Sequence, residues 1–150
     1  MRPSKIETAM AIAKNVSLRS HDAETKVGSV LINNNSGAII ATGCNGFVRN
    51  APDDSLPNTR PEKYAVIVHS EVNLIANCAY SGISTKDCMI VCTMSPCVSC
   101  MRLLYQSGIT EVVCETKYRD FDTIMNMKDI RVIESQTPEG YIRLKYEAFV

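Results

Sequence analysis

The chain has 150 residues, with 16 Lys plus Arg against 16 Asp plus Glu, so it lacks the basic surplus with which proteins usually meet long nucleic acids. That length suits one well-buried domain, residues 1–150, better than two. No apolar run approaches the roughly 18–20 residues needed to cross a bilayer, and Met1-Arg2-Pro3-Ser4-Lys5 does not open a signal peptide, so a cytoplasmic protein (host cytoplasm if the source is viral) without membrane or polynucleotide partner is expected.

Ile6, Ala9, Met10, Ala13 and Val16 recur at helical spacing and predict a first helix within residues 4–20. Val27 to Asn33 and Ile39 to Asn45 read as strands, and the turn-rich Asn33-Asn34-Asn35-Ser36-Gly37 joins them as a hairpin. From Gly46 to about Arg60, Pro52, Asp53, Asp54 and Pro57 punctuate a loop long enough to suggest function. His69 opens a second helix, with Val72, Ile75, Ala76 and Ala79 on one face and Gly82 at its end.

Cys88 to Thr93 is a short apolar strand. Ser95-Pro96 suits the start of a third helix, Ser95 as N-cap and Pro96 in the first helical position, and Gly108 closes it. Glu111 to Glu115 and Ile130 to Glu134 are further strands, with a helical piece from Phe121 to Met127 between them. Tyr141 to Val150 fits a strand or a helix equally. Strands alternating with helices after residue 69 imply parallel pairing, and the opening hairpin adds an antiparallel part. The expected fold class is α/β, with a mixed sheet of about five strands covered by helices.

Two motifs carry the chemistry: His69-Ser70-Glu71 and Pro96-Cys97-Val98-Ser99-Cys100. A helix N-terminus offers free N–H groups and partial positive charge, which favour the thiolates of Cys97 and Cys100. Neutral imidazole from His69 and two thiolates give zinc three ligands and an open fourth position, where a bound water becomes acidic enough to react. Glu71, two positions beyond His69, reaches past the metal toward that water as the acid–base catalyst. A lone Cys-x-x-Cys also reads as a redox pair or half a structural zinc site, but the second half of such a site is missing and a redox pair leaves His69 and Glu71 without a task. The other five cysteines, Cys44, Cys78, Cys88, Cys92 and Cys114, lie in apolar segments and read as buried free thiols.

His-x-Glu followed by Pro-Cys-x-x-Cys is the signature of zinc-dependent nucleobase deaminases, so at this point the chain is similar to a known family. The likeness extends through Lys26-Val27-Gly28-Ser29-Val30, Gly43-Cys44-Asn45-Gly46, the run from His69 to Ile75, and Gln106-Ser107-Gly108-Ile109. Over about Val27 to Val132 it resembles the deoxycytidylate (dCMP) deaminases. The resemblance implies a three-layer αβα cytidine-deaminase-like fold, zinc on His69, Cys97 and Cys100, and Glu71 as catalyst of dCMP hydrolysis to dUMP and ammonia, a supply step for thymidylate. One zinc per chain is expected, because His21 is the only spare His for a second site.

By the same resemblance Asn45 hydrogen-bonds the sugar 3′-hydroxyl and base region, though a plain strand-ending turn competes for Asn45-Gly46. Lys26 and Arg119, assisted by Thr25, are candidates for the 5′-phosphate, and Tyr118 for packing against the nucleotide; ordinary surface residues are the competing reading. The family usually has Tyr where this chain has Cys44 and often Pro where it has Val48. That stretch lies near the effector site in relatives that dCTP activates and dTTP inhibits, with Mg2+, so allosteric control stays an open expectation. Relatives are commonly hexamers, and a homo-oligomer is expected. Two rivals stand beside dCMP: a deaminase of another cytosine or adenine nucleoside or base, and a non-catalytic zinc-stabilised binding module.

Overall fold

The computed structural model describes residues 1–148, so Phe149 and Val150, the end of the undecided Tyr141–Val150 segment, lie outside the described residues. Helix α1 (Lys5–Ser17) starts where the Ser4 side chain accepts the Glu7 N–H at 3.1 Å, a cap worth about 1 kcal/mol. Its buried stripe, Ala9, Met10 and Ala13, packs on Val30 and Ile32 of strand β1 (Gly28–Asn33) and on Met89 and Val91. The approach is close because Gly28 has no side chain; a Cβ there would collide with the Ala13 carbonyl.

Strand β2 (Ile39–Cys44) returns antiparallel to β1, from Gly28↔Cys44 to Ile32↔Ile39. Asn33 shapes the turn by accepting the Asn35 and Ser36 N–H groups on its Oδ1, at 2.9 and 3.1 Å. The remaining strands are β3 (Cys88–Met94), β4 (Ile109–Thr116), β5 (Arg131–Gln136) and β6 (Ile142–Glu147). Together they form one sheet of order β2-β1-β3-β4-β6-β5.

Six strands therefore replace the expected five or so. The additional strand is β6, whose undecided pattern is settled by long-range pairing on both edges: Leu144 lies between Val112 and Glu134 and is fully buried. The expectation of parallel pairing after residue 69 holds, among the described residues, only for β3 and β4. β6 lies antiparallel to both of its neighbours, β4 and β5. A tight turn brings it back: Gly140 has φ of 92°, and Thr137 Oγ1 accepts the Tyr141 N–H at 3.1 Å.

Helices α2 (Ser70–Ser81) and α3 (Val98–Gln106) cover the face opposite α1, completing three layers. Leu74, Cys78, Met101 and Leu104 pack there with Leu31, Ile90, Val112 and Leu144. Each of the Leu, Ile, Val and Met side chains among them contributes about 1.5–3 kcal/mol by leaving water. Cys78, Cys88, Cys92 and Cys114 are buried free thiols, as expected, while Cys44 is partly buried. The piece after β4 is shorter than the sequence suggests: α4 spans Phe121–Ile124 and buries those two side chains. No helix among the described residues is long and apolar enough to cross a membrane.

Candidate metal centre and pocket

The first turn of α2 is pinned to the sheet before any chemistry is placed on it. Ser70 is buried, its Oγ lies 2.7 Å from Ser29 Oγ, and it donates to the Gly43 carbonyl at 3.1 Å. Gly43 permits the approach, since a Cβ there would sit 2.8 Å from the Ser70 carbonyl oxygen. Asn73 Nδ2 adds a bond to the Cys44 carbonyl at 2.8 Å, satisfying an acceptor on edge strand β2. His69 occupies the N-cap position with extended backbone, φ −66° and ψ 153°, and makes no side-chain cap bond, which leaves its ring free.

Helix α3 starts two residues later than its sequence suggests. Its N-cap is Cys97, not Ser95: Cys97 Sγ accepts the Cys100 N–H at 3.5 Å. Ser95 is otherwise engaged, since its Oγ accepts the Tyr118 N–H at 2.6 Å and ties the entry to α3 to the loop after β4. Cys97 and Cys100 are thus cap and third residue, and they meet His69 from the facing helix. His69 Nδ1 lies 3.5 Å from Cys97 Sγ and 3.4 Å from Cys100 Sγ. The three ligand atoms lie within 4.8 Å of one another, and one imidazole with two thiols is a donor set that suits zinc.

The electrostatics agree with that donor set. The Cys97 thiol is pulled down to about 4, first by the Cys100 thiol, then by His69 and the Cys100 N–H, against the cost of burial. Cys100 is driven upward by sharing a proton with Cys97 and by burial. Metal binding displaces the protons of both thiols, and a pair in which one thiol is made more acidic favours that exchange. Glu71 is 4% exposed, and burial raises its carboxyl above the ordinary range. It shares a pocket wall with His69, Cys97, Ser95 and Tyr118.

The rest of the pocket lining draws on three segments far apart in sequence. Asp22, Thr25 and Val27 come from the first, Asn45 from the second, and Arg60, Lys63 and Tyr64 from the third. Asn45 is held tightly: its Oδ1 accepts the Val27 N–H at 2.8 Å, and its Nδ2 donates to the Thr25 carbonyl at 2.8 Å. Of the sequence candidates, Thr25, Asn45 and Tyr118 line the pocket, whereas Lys26 and Arg119 do not. Lys26 Nζ donates instead to the Ser20 carbonyl at 2.7 Å. The Arg119 guanidinium lies 5.1 Å from the centre of the Tyr118 ring and 5.9 Å from that of the Tyr64 ring.

Arg60, Lys63 and Tyr64 are among the pocket residues that the sequence does not mark. They sit at and just after the end of the proline-punctuated loop, around a 3-10 turn over Glu62–Ala65. Lys63 is 3% exposed and pairs with Asp22, its Nζ 2.9 and 2.8 Å from the two carboxylate oxygens. Asp22 Oδ1 also accepts the Glu24 and Thr25 N–H groups, at 2.8 and 2.9 Å. The pair ties the Asp22 segment to the Lys63 segment. A signal existed in the sequence: two cations, Arg60 and Lys63, lie in the last ten residues before His69.

Comparison with known proteins agrees with this geometry. Residues 3–116 match the family model described as the cytidine and deoxycytidylate deaminase zinc-binding region. The deoxycytidylate deaminases of Pongo abelii and Homo sapiens are each 33% identical over 123 residues, 77% of this chain and 67% of theirs. The crystal structure of dCMP deaminase from the cyanophage S-TIM5 in complex with dCMP and dUMP is 28% identical, with a TM-score of 0.69 over 84% of this chain and 93% of that one.

Proposed function

The chain belongs to the cytidine and deoxycytidylate deaminase family, and we propose that within it this protein is a zinc-dependent enzyme that hydrolyses dCMP to dUMP and ammonia. The observation that carries the chemistry is the convergence of His69, Cys97 and Cys100 within 4.8 Å, with the buried carboxyl of Glu71 on the same pocket wall. The dCMP assignment is supported by the deoxycytidylate deaminases at 33% identity and by the phage dCMP deaminase at 28%.

His69, Cys97 and Cys100 are the residues that would hold zinc, one per chain. Zinc bound there supplies a Lewis acid that makes water a competent nucleophile near neutral pH. Glu71 accepts a proton from the water as its oxygen adds to C4 of the cytosine and delivers that proton to ring N3. It then takes the hydroxyl proton and passes it to the amino group, so that C4 gains a carbonyl, the C4–N bond breaks and ammonia leaves. Burial keeps bulk water from competing for these protons and holds the carboxyl in one orientation. Asn45 meets the sugar through the remaining lone pair of Oδ1, its amide donors being turned toward Thr25 and Asp22. Tyr118, held by Ser95, forms a wall against the nucleotide.

The same reading takes residues 1–150 as one catalytic unit, supported by a single sheet that gathers strands from Gly28 to Glu147. A homohexamer in the cytoplasm, with dCTP and dTTP as effectors alongside Mg2+, completes the proposal and rests on the family resemblance. Ammonia release from dCMP, deoxycytidine, cytidine and cytosine tests the substrate. Turnover of the unphosphorylated compounds equal to that of dCMP overturns the assignment.

A further inference from the structure

We infer that Arg60, with Thr25, reads the 5′-phosphate and so makes the pocket select a nucleoside monophosphate over the nucleoside; this rests on the dCMP reading above. A phosphate needs a cation with unused donors facing the pocket, and the nearby cations differ sharply on that count. Lys63 lines the pocket, but its charge is buried and consumed by Asp22, with Glu24 a further 3.3 Å away. Lys26 is spent on the Ser20 carbonyl. Arg119 lies outside the lining, stacked near Tyr118. Arg60 both lines the pocket and keeps 44% of its side chain exposed.

The donor count completes the argument. A guanidinium has five N–H groups. Arg60 Nε donates to the Tyr64 hydroxyl and one Nη2 hydrogen to Thr25 Oγ1, both at 2.8 Å, while Nη1 lies 3.4 Å from the Glu24 carboxylate. That leaves one hydrogen on each terminal nitrogen for an anion, the fork that suits two phosphate oxygens. Because Thr25 Oγ1 receives the Arg60 hydrogen, its own hydroxyl proton is free to donate to a third. Three donors therefore converge on a group that only accepts. An unphosphorylated nucleoside brings a hydroxyl there and cannot satisfy them all.

The arrangement is also preformed. Glu24 Oε1 accepts the Arg60 backbone N–H at 2.6 Å, and Lys63 holds Glu24 from behind. Little side-chain freedom is then lost when the anion arrives.

The test is the ratio of kcat/KM for dCMP to that for deoxycytidine in the zinc-loaded protein. In Arg60→Gln that ratio is expected to fall about 100-fold, carried by KM for dCMP, since two charge-assisted hydrogen bonds are lost. Arg60→Lys, with the charge but not the fork, should recover only part of it. Thr25→Val gives a second reduction, read in a separate protein, should Arg60→Gln fold poorly. A wild-type protein that prefers dCMP and an Arg60→Gln or Thr25→Val variant that keeps that preference overturn the role assigned here. A wild-type protein that turns over both substrates equally overturns the substrate reading instead, before any variant is made.

Discussion

The metal centre and the pocket mouth are neighbours built on opposite plans. At the centre two helix starts meet, and the candidate groups come from two short runs, His69 to Glu71 and Cys97 to Cys100. Backbone geometry and close packing on Gly43 place them. The mouth has no such frame. Its parts come from the segments around Asp22 to Val27, Arg60 to Tyr64 and Tyr118, and side-chain bonds hold them together. The centre should therefore fail by losing chemistry, and the mouth by losing affinity and stability.

The largest effect should come from Cys97→Ala, which removes a metal ligand and the cap of α3 together. Activity and bound zinc should both vanish, read by turnover and by metal analysis; a variant that keeps a full zinc complement contradicts the ligand set. Glu71→Gln should lower kcat by about 10³-fold, within the range for a positioned acid–base group, with zinc retained. Loss of chemistry without loss of metal is the mark of the centre, and normal turnover in this variant would break the mechanism.

At the mouth, Lys63→Met strands the Asp22 carboxylate in a site where both partners are 3% exposed. Unfolding in urea should show a loss of about 3–5 kcal/mol, the usual cost of breaking a buried pair. The pH dependence sharpens the point. Burial pushes the Asp22 carboxyl up, but Lys63 and the Thr25 and Glu24 N–H groups outweigh it and hold it below its usual value, about 3.9. A lowered folded value stabilises above the unfolded one and is lost as pH falls through the folded one. Wild type should therefore exceed Asp22→Asn most clearly at neutral pH, the gap shrinking below about pH 4. Taking the difference between two proteins cancels what acid release of zinc does to both. The smallest effect is expected from Ser70→Ala, about 1 kcal/mol for one buried hydroxyl, read as a shift in the urea midpoint.

The same contrast explains what could be read from the sequence. Metal ligands at fixed spacing on helix starts are local information, so His69, Glu71, Cys97 and Cys100 were legible together. The helix start itself was misplaced because Ser95, an excellent cap by type, is claimed by Tyr118 from another segment. Lys63 was invisible because a lysine in a polar stretch reads as solvated, and only the fold brings Asp22 to it. β6 escaped for a similar reason: pairing with both β4 and β5, not its own pattern, makes it a strand.

That position of β6 also sets an order of events during synthesis. β5 pairs with β6 alone among the described strands, while β6 is the later of the two in the chain. As the polypeptide leaves the ribosome, β4 must wait with one side bare, and β5 emerges with nothing to join. An unpaired strand edge recruits other chains, and until the Ile142–Glu147 segment pairs with both neighbours, one edge of β4 and both edges of β5 stay open.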